Sequence, residues 1–530
     1  MIDVLIIGSG PVGATFARLI SDAKPEIKIL MIDLGPRLTD KTGKHYKNID
    51  GEAEQAAAQI KSQGAKQSPY PSISVAERAK AVQRGELNAD ILARPGTHLV
   101  TDTPKDLEKN QMPAAAMSSN LGGMGVHWTC ACPIPGNTEQ IPFIPNEEYE
   151  KAFTKARELL SVTQKAFPES PESLAIKKTL SGAFDKILSP GRQVQNMPLA
   201  CKVNENGERY WTGPDVILGN LANSDQKIGN FEIRSDTLCR KLLTDGSRIK
   251  GALIEHLPSG KKEEIEAKIV IVAADAFRTP QLLWASNIRP KALGHYLNEH
   301  PFIFTFVELH DFGFRIPDSE IPAPKSEIPV PKSETPIPKS EIPIPKSLGV
   351  FWVPFDAPHH PFHGQIMHMD LSPMKTETYN NPKHIVGLGW GCLKEVKYND
   401  RIVFSKTEKD YWGMPKMNFK FSYTKKDKKA IEQAKTIQLQ AADSFGKIIK
   451  DGDQTVMPAG TSLHYEGTTR MGETNDGTSV CNSYSQVWGF ENLFVGGNGV
   501  IPMATTSNPT LTSVAMAVRS AEKIVILLSK

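Results

Sequence analysis

Apolar positions in the first 33 residues fall into two unbroken runs separated by a stretch of helical spacing. Residues 4–7 form the first run, DVLIIGSGPVGATFARLI carries the turn and helix pattern, and IKILMI ends the unit at Asp33. A strand, turn, helix and strand are predicted. Unbroken apolar runs return at residues 269–273, in KIVIVAADAFRTPQLLWAS, and at 492–497, in NLFVGG, the latter followed by a helical pattern to the chain end. A strand without alternation is covered on both faces, so these three distant segments are expected to share one parallel sheet. Residues 350–450 mix short apolar strands with Trp, Phe and His, which predicts a second sheet on the substrate side.

A different pattern occupies residues 317–347, where EIPAPKS, EIPVPKS, ETPIPKS and EIPIPKS form an imperfect seven-residue repeat. Proline at this density suits neither a helix nor a central strand. Polyproline II is the expected conformation, and the segment reads as a solvated spacer or surface arm without catalytic residues.

Composition narrows the partners. With 530 residues the chain can bury a large core, and its formal charge of +3, from 62 basic and 59 acidic residues, argues against nucleic acid or an anionic membrane as the main partner. A neutral ligand fits better. The cysteines at 130, 132, 201, 239, 392 and 481 form no regular framework, so free thiols and a reducing compartment are expected. No secretion leader precedes the first strand, no apolar stretch reaches the ~20 residues of a membrane span, and Lys530 follows no lipidation motif. A soluble, cytoplasmic protein is the expectation.

The turn Gly8-Ser9-Gly10-Pro11-Val12-Gly13 joins a strand to a helix, which lets the backbone approach a pyrophosphate at the helix N-terminus. Asp33, 20 residues beyond Gly13, ends the next strand, where a carboxylate can accept hydrogen bonds from ribose hydroxyls. The alternative is a purely structural glycine turn. FAD is favoured over NAD because the motif opens the chain and the segment SNPTLTSVAMAVRSAEKI is suited to the far end of the cofactor. Asn508 is expected to cap a helix beginning at Pro509, whose positive end would stabilise negative charge on a flavin ring.

A third segment, SSNLGGMGVHWTCACPIP, places His127, Trp128 and Thr129 directly after a glycine-rich turn containing Gly123 and Met124. It resembles the flavin-attachment motif of pyranose oxidases, in the glucose-methanol-choline oxidoreductase superfamily. AADAFRTPQLLWAS, with Ala274, LGHYLNEHPFIF, HPFHGQI, SLHYEGTTRMG and VWGFENLFVGGNGVIPMATTSNPTLTSVAMA, with Asn498, Pro509 and Thr510, are similar to further blocks of that superfamily. The resemblance implies FAD bonded covalently to His127, Thr129 near flavin N5 and the sugar, and Gln365 and His368 on the substrate side. It also makes His464 the catalytic base and Asn508 its partner. A neutral imidazole suits removal of a hydroxyl proton near neutral pH, and a carboxamide can hold the same oxygen without competing for that proton.

The implied fold is α/β, a Rossmann-like FAD-binding domain with a second α+β substrate domain on a mainly antiparallel sheet. Residues 1–45, 100–165, 230–300 and 455–530 are expected in the first, and 166–229 and 301–454 in the second, with 46–99 as a connecting arm. The implied reaction is oxidation of a secondary hydroxyl of a pyranose to a ketone, with O2 or a quinone taking the electrons. After Gln365, however, this chain reads IMHMDLSPMKTETYNN where the family carries an arginine, an aspartate and aromatics. Met367, His368 and Met369 would present an adaptable, more apolar surface. Oxidation of carbon 3 of a glycoside is therefore the alternative to carbon 2 of a free sugar. A non-catalytic flavin-binding escort protein is the remote third reading. Fungal members carry an N-terminal extension absent here, which leaves a homo-oligomer as an open reading. His359, His360, His363 and His368 complete no recognised metal site and are expected in aromatic and polar packing near the pocket, and His300 is expected to be structural.

Overall fold

The computed structural model describes residues 1–64, 95–100, 111–223, 229–310, 348–368, 385–449 and 454–529. The proline repeat, Met369 and most of the expected connecting arm lie outside those residues.

The three predicted apolar runs do join one parallel sheet. Its strands run in the order Phe231–Arg234, Ile29–Ile32, Ile2–Ile7, Lys261–Val272 and Leu493–Val495. The edge strand FEIR is short and half polar, so the apolar pattern alone does not announce it. Lys261–Val272 does two things along its length. Its polar first half pairs antiparallel with Arg248–His256, while its apolar second half, which includes Val270, Ile271 and Val272 at 0% exposure, enters the parallel core. Helix Pro11–Ala23 packs on this sheet, and helix Thr510–Leu528 packs against that helix. The last helix buries every residue from 511 to 521, as a layer covered on several sides must.

A second sheet is antiparallel throughout, in the order Gly446–Ile448, Phe302–Leu309, Ile385–Cys392, Phe362–His368, Val350–Val353 and Gln195–Asn196. Thr455–Val456 also pairs with Phe302–Leu309. Residues from helices Pro171–Phe184 and Lys425–Phe445 share its apolar core. The two-stranded ribbon of Arg401–Lys409 and Pro415–Lys420 packs instead beside helix Asp275–Ala285, where Phe277 lies between Phe419 and Tyr465.

All six cysteines are buried and unpaired. Burial pushes their thiols up, to about 11 for Cys201 and about 12 for Cys239 and Cys392. Among the described residues no helix is long and apolar enough to cross a membrane.

Candidate active site

A cavity runs from the first βα turn, past the segment around His127, to His464 and Asn508. At its first end the glycines are required by space. A Cβ on Gly8, whose φ is +105°, would lie 2.3 Å from the Ala273 carbonyl oxygen, and one on Gly13 would lie 2.0 Å from the Gly8 carbonyl oxygen. Gly10 has no atom nearer than the Gly122 carbonyl oxygen at 3.8 Å, so its open side leaves room for a phosphate. The helix opening at Pro11 has no side-chain cap, which leaves first-turn amides for an anion.

Asp33 is anchored beside this turn. Its Oδ2 accepts from Ser9 N at 3.0 Å and Ser9 Oγ at 2.6 Å, and its Oδ1 accepts from Gly35 N at 3.0 Å. Burial raises its carboxyl pKa, and these hydrogen bonds oppose the shift. The carboxylate thus faces the cavity in a fixed orientation.

His127 lies midway, stacked on Tyr46 at 5.9 Å between ring centroids. Its Nε2 is 2.9 Å from Ser62 Oγ, and its buried Nδ1 has no hydrogen-bond partner among the described residues. Burial pushes this imidazole down to about 3, so it is neutral at physiological pH.

At the far end the segments carrying His464 and Asn508 meet across 44 positions of sequence, with Asn508 Nδ2 3.2 Å from His464 Nε2. The tautomer follows from the neighbours. A carbonyl can only accept, so the Thr505 oxygen, 3.1 Å from His300 Nδ1, requires a proton on that nitrogen. Burial pushes His300 down to about 4, so its Nε2 carries a lone pair and accepts from His464 Nδ1 at 3.1 Å. When it is neutral, His464 therefore carries its proton on Nδ1 and presents its Nε2 lone pair toward Asn508 and the cavity. This is the geometry of a general base held in one tautomer.

Two buried carboxyl groups hold the segments. Glu139 accepts from Gly136 N, from Thr506 N and Oγ1 and from Ser507 N and Oγ, all between 2.5 and 3.1 Å. Glu299 accepts from Ser462 N at 3.0 Å, and the Ser462 hydroxyl, which donates to Glu299, accepts from His464 N at 3.1 Å. Leu463, between them, has φ +63°, a left-handed conformation that costs a bulky residue energy.

Most of the expected residues line this cavity: Gly8, Gly10, Pro11, Val12 and Asp33 at one end, Gly123, Met124, His127, Trp128 and Thr129 at the middle, and Ala274, Asn498, Thr510, His464 and Asn508 beyond. Gly13 stands behind the turn, and Pro509 is absent from the wall. Gln365 and Met367 line a small adjoining cavity with Thr129, Trp128 and Trp211. His368 is buried outside both cavities, where its backbone N donates to Gly349.

One expectation is corrected. Asn508 does not cap the last helix: the helix runs Thr510–Leu528 with Pro509 at its N-cap and no side-chain cap, because the Asn508 carboxamide is turned to His464 and Gln365. His300, expected to be structural, holds the His464 ring. Glu139 and Glu299 carry no local motif, and only the density of their hydrogen bonds reveals them.

Comparison with known proteins bears on the same segments. Family models described as GMC oxidoreductase match residues 137–302 and 401–517. The chain is 39% identical to a C-glycoside 3-oxidase of Microbacterium trichothecenolyticum, over 99% of this chain and 96% of that protein. It is 29% identical to a pyranose 2-oxidase of Tricholoma matsutake, over 99% and 93%. The fold is similar to that of pyridoxine 4-oxidase from Mesorbium loti, with a TM-score of 0.61 at 14% identity over 99% of both chains.

Proposed function

This chain belongs to the GMC oxidoreductase family, and we propose that it is a glycoside 3-oxidase, converting the secondary hydroxyl at carbon 3 of an O- or C-glycoside to a ketone. Membership makes it an FAD-dependent oxidoreductase acting on CH–OH groups. The residues fit that cofactor: Gly8 to Gly13 leave space for its pyrophosphate, Asp33 offers its carboxylate to the ribose, and the cavity continues to Thr129, Asn498 and Thr510. When bound, FAD supplies the acceptor for the hydride leaving the substrate carbon.

The observation that carries the reading is the approach of His464 Nε2 to Asn508 Nδ2, 3.2 Å apart at the end of that cavity. His464 takes the hydroxyl proton as the C–H bond is broken, Asn508 holds the same oxygen, and the Thr505 carbonyl, through His300, keeps the accepting nitrogen turned inward. Gln365 and Thr129 border the space where the sugar ring would lie.

Carbon 3 is preferred to carbon 2 because the identity to the C-glycoside 3-oxidase is 39%, against 29% for the pyranose 2-oxidase. The expectation of carbon 2 of a free sugar thus becomes the second reading, favoured by the motif around His127. Incubation with an aryl O-glycoside, a C-glycoside and glucose, followed by product analysis, separates them. A 3-keto glycoside is expected; 2-keto glucose alone would reverse the regiochemistry, and no ketone from any substrate would remove the proposal. O2 or a quinone is proposed as electron acceptor, tested by the rate of product formation with each.

The finer proposal of a covalent FAD link rests on the neutral His127 ring at the cavity wall, with its unpartnered Nδ1. Acid precipitation should keep the yellow colour with the wild-type chain and release it from His127→Ala. Colour in the wild-type supernatant would make the cofactor non-covalent.

A further inference from the structure

Beyond His464 and Asn508 the hydrogen bonds continue into the second sheet. Gln365 Nε2 lies 2.5 Å from Asn508 Oδ1 and 2.7 Å from His363 Nε2, and Trp352 Nε1 donates to His363 Nδ1 at 3.0 Å. All of these side chains are buried. Both ends of the chain have a fixed polarity, since the Thr505 carbonyl only accepts and the Trp352 indole N–H only donates.

Followed from the Thr505 end, neutral His464 accepts from Asn508 Nδ2, so Asn508 Oδ1 accepts from the Gln365 NH2 group. Followed from the Trp352 end, His363 accepts at Nδ1 and must carry its proton on Nε2. That N–H then points at the Gln365 NH2 group. Two donors face each other at 2.7 Å. Turning the Gln365 amide gives His363 its acceptor, but sets an oxygen against Asn508 Oδ1. Turning Asn508 as well sets its oxygen against the lone pair of His464. One unmatched contact persists for every arrangement of the two amides while all three imidazoles are neutral.

A second proton on His464 removes it. With both amides turned, His464 Nε2–H donates to Asn508 Oδ1, and Asn508 Nδ2–H and His363 Nε2–H both donate to Gln365 Oε1. His464 Nδ1–H still donates to His300. We infer that the chain from Trp352 through His363, Gln365, Asn508, the half-buried His464 and His300 to the Thr505 carbonyl, with one proton on each of His300 and His363, is matched donor to acceptor only when His464 carries two protons, so that the chain favours the proton taken from the substrate. The substrate O–H bond breaks with its proton going to His464 Nε2, while the C–H electron pair leaves with the hydride. This rests on the proposed role of His464 as the base. Trp352 and His363 are positioning residues that act through Gln365 and Asn508.

The intermediate rings support the polarity. Burial lowers His300 to about 4 and His363 well below the ordinary imidazole value, so each holds a single proton near neutral pH. Among the described residues, the ionisable groups near His464 include Glu299 behind Ser462, Glu466 on the Thr505 hydroxyl and Glu139 beneath Thr506 and Ser507. Neither Trp352→Phe nor His363→Leu alters any of these three carboxyl groups.

The test is the titration of His464 in the FAD-loaded enzyme without substrate, read from 15N-histidine side-chain NMR, with His464→Ala identifying its signal among the 13 histidines. Trp352→Phe removes the donor that fixes the His363 tautomer, so neutral His464 no longer leaves a mismatch, and its midpoint should fall by about one pH unit. The low-pH limb of kcat/KM should move down with it. His363→Leu removes the opposing N–H and should give the same shift, which keeps the test valid if Trp352→Phe does not fold. A residue that only packs would lower the rate at every pH without moving the midpoint. An unchanged or raised midpoint in the folded variants would overturn the inference. That result leaves glycoside oxidation standing, whereas a wild-type enzyme that oxidises no glycoside would leave the titration result intact.

Discussion

The two ends of the cavity are built on different principles. The end at the first βα turn is local and made largely of backbone: Gly8, Gly10 and Gly13 lie within six residues, and Asp33 is fixed by its neighbours Ser9 and Gly35. The end at His464 is assembled from side chains far apart in sequence, with Glu139 reaching Ser507 across 368 positions and Asn508 reaching Gln365 across 143. The first end depends on close approach of backbone to backbone, at Gly13 against Gly8 and at Gly8 against Ala273, so side-chain exchanges elsewhere should disturb it little. The second depends on each distant donor finding its acceptor, so remote substitutions can disable it without touching the cofactor end.

Three changes test that contrast. His464→Ala should slow glycoside-driven bleaching of bound flavin by ~10^2- to 10^4-fold while flavin content stays at the wild-type level. Stopped-flow absorbance measures both, and an unchanged rate would end the base assignment. Glu139→Gln replaces an acceptor of five hydrogen bonds with a group that accepts through one oxygen, so some donors from Gly136, Thr506 and Ser507 lose a partner. Losing about 1–3 kcal/mol at a buried donor predicts roughly 10- to 100-fold slower bleaching with flavin retained. Steady rates accompanied by loss of flavin would show that the two ends are not separable. Asp33→Asn is expected to weaken FAD binding about tenfold, measured by titrating apoenzyme, with turnover at saturating FAD unchanged. A shifted pH profile in that variant would instead reveal coupling along the cavity.

What could be read from the sequence follows the same division. The glycine turn, Asp33 and the unbroken runs at 4–7, 269–273 and 492–497 were legible because backbone crowding and two-sided burial leave local signatures. His464 and Asn508 were found through family resemblance. Their positioning partners were not: a lone Glu139 or Glu299 looks like any surface acid until a fold surrounds it with amides. Ser-Asn-Pro-Thr shows the opposite error, since its local pattern predicts a helix cap but tertiary contacts claim the carboxamide.

The buried thiols have a consequence for how the enzyme ages. Oxidants attack the thiolate form, and a sulfur both shielded from solvent and held as S–H offers peroxide little to react with. If O2 takes the electrons, the six cysteines are sheltered from the enzyme's own by-product. Among the described residues, Met1 is 76% exposed, and its peptide is expected to gain the mass of one oxygen in peptide mapping while the cysteine peptides do not.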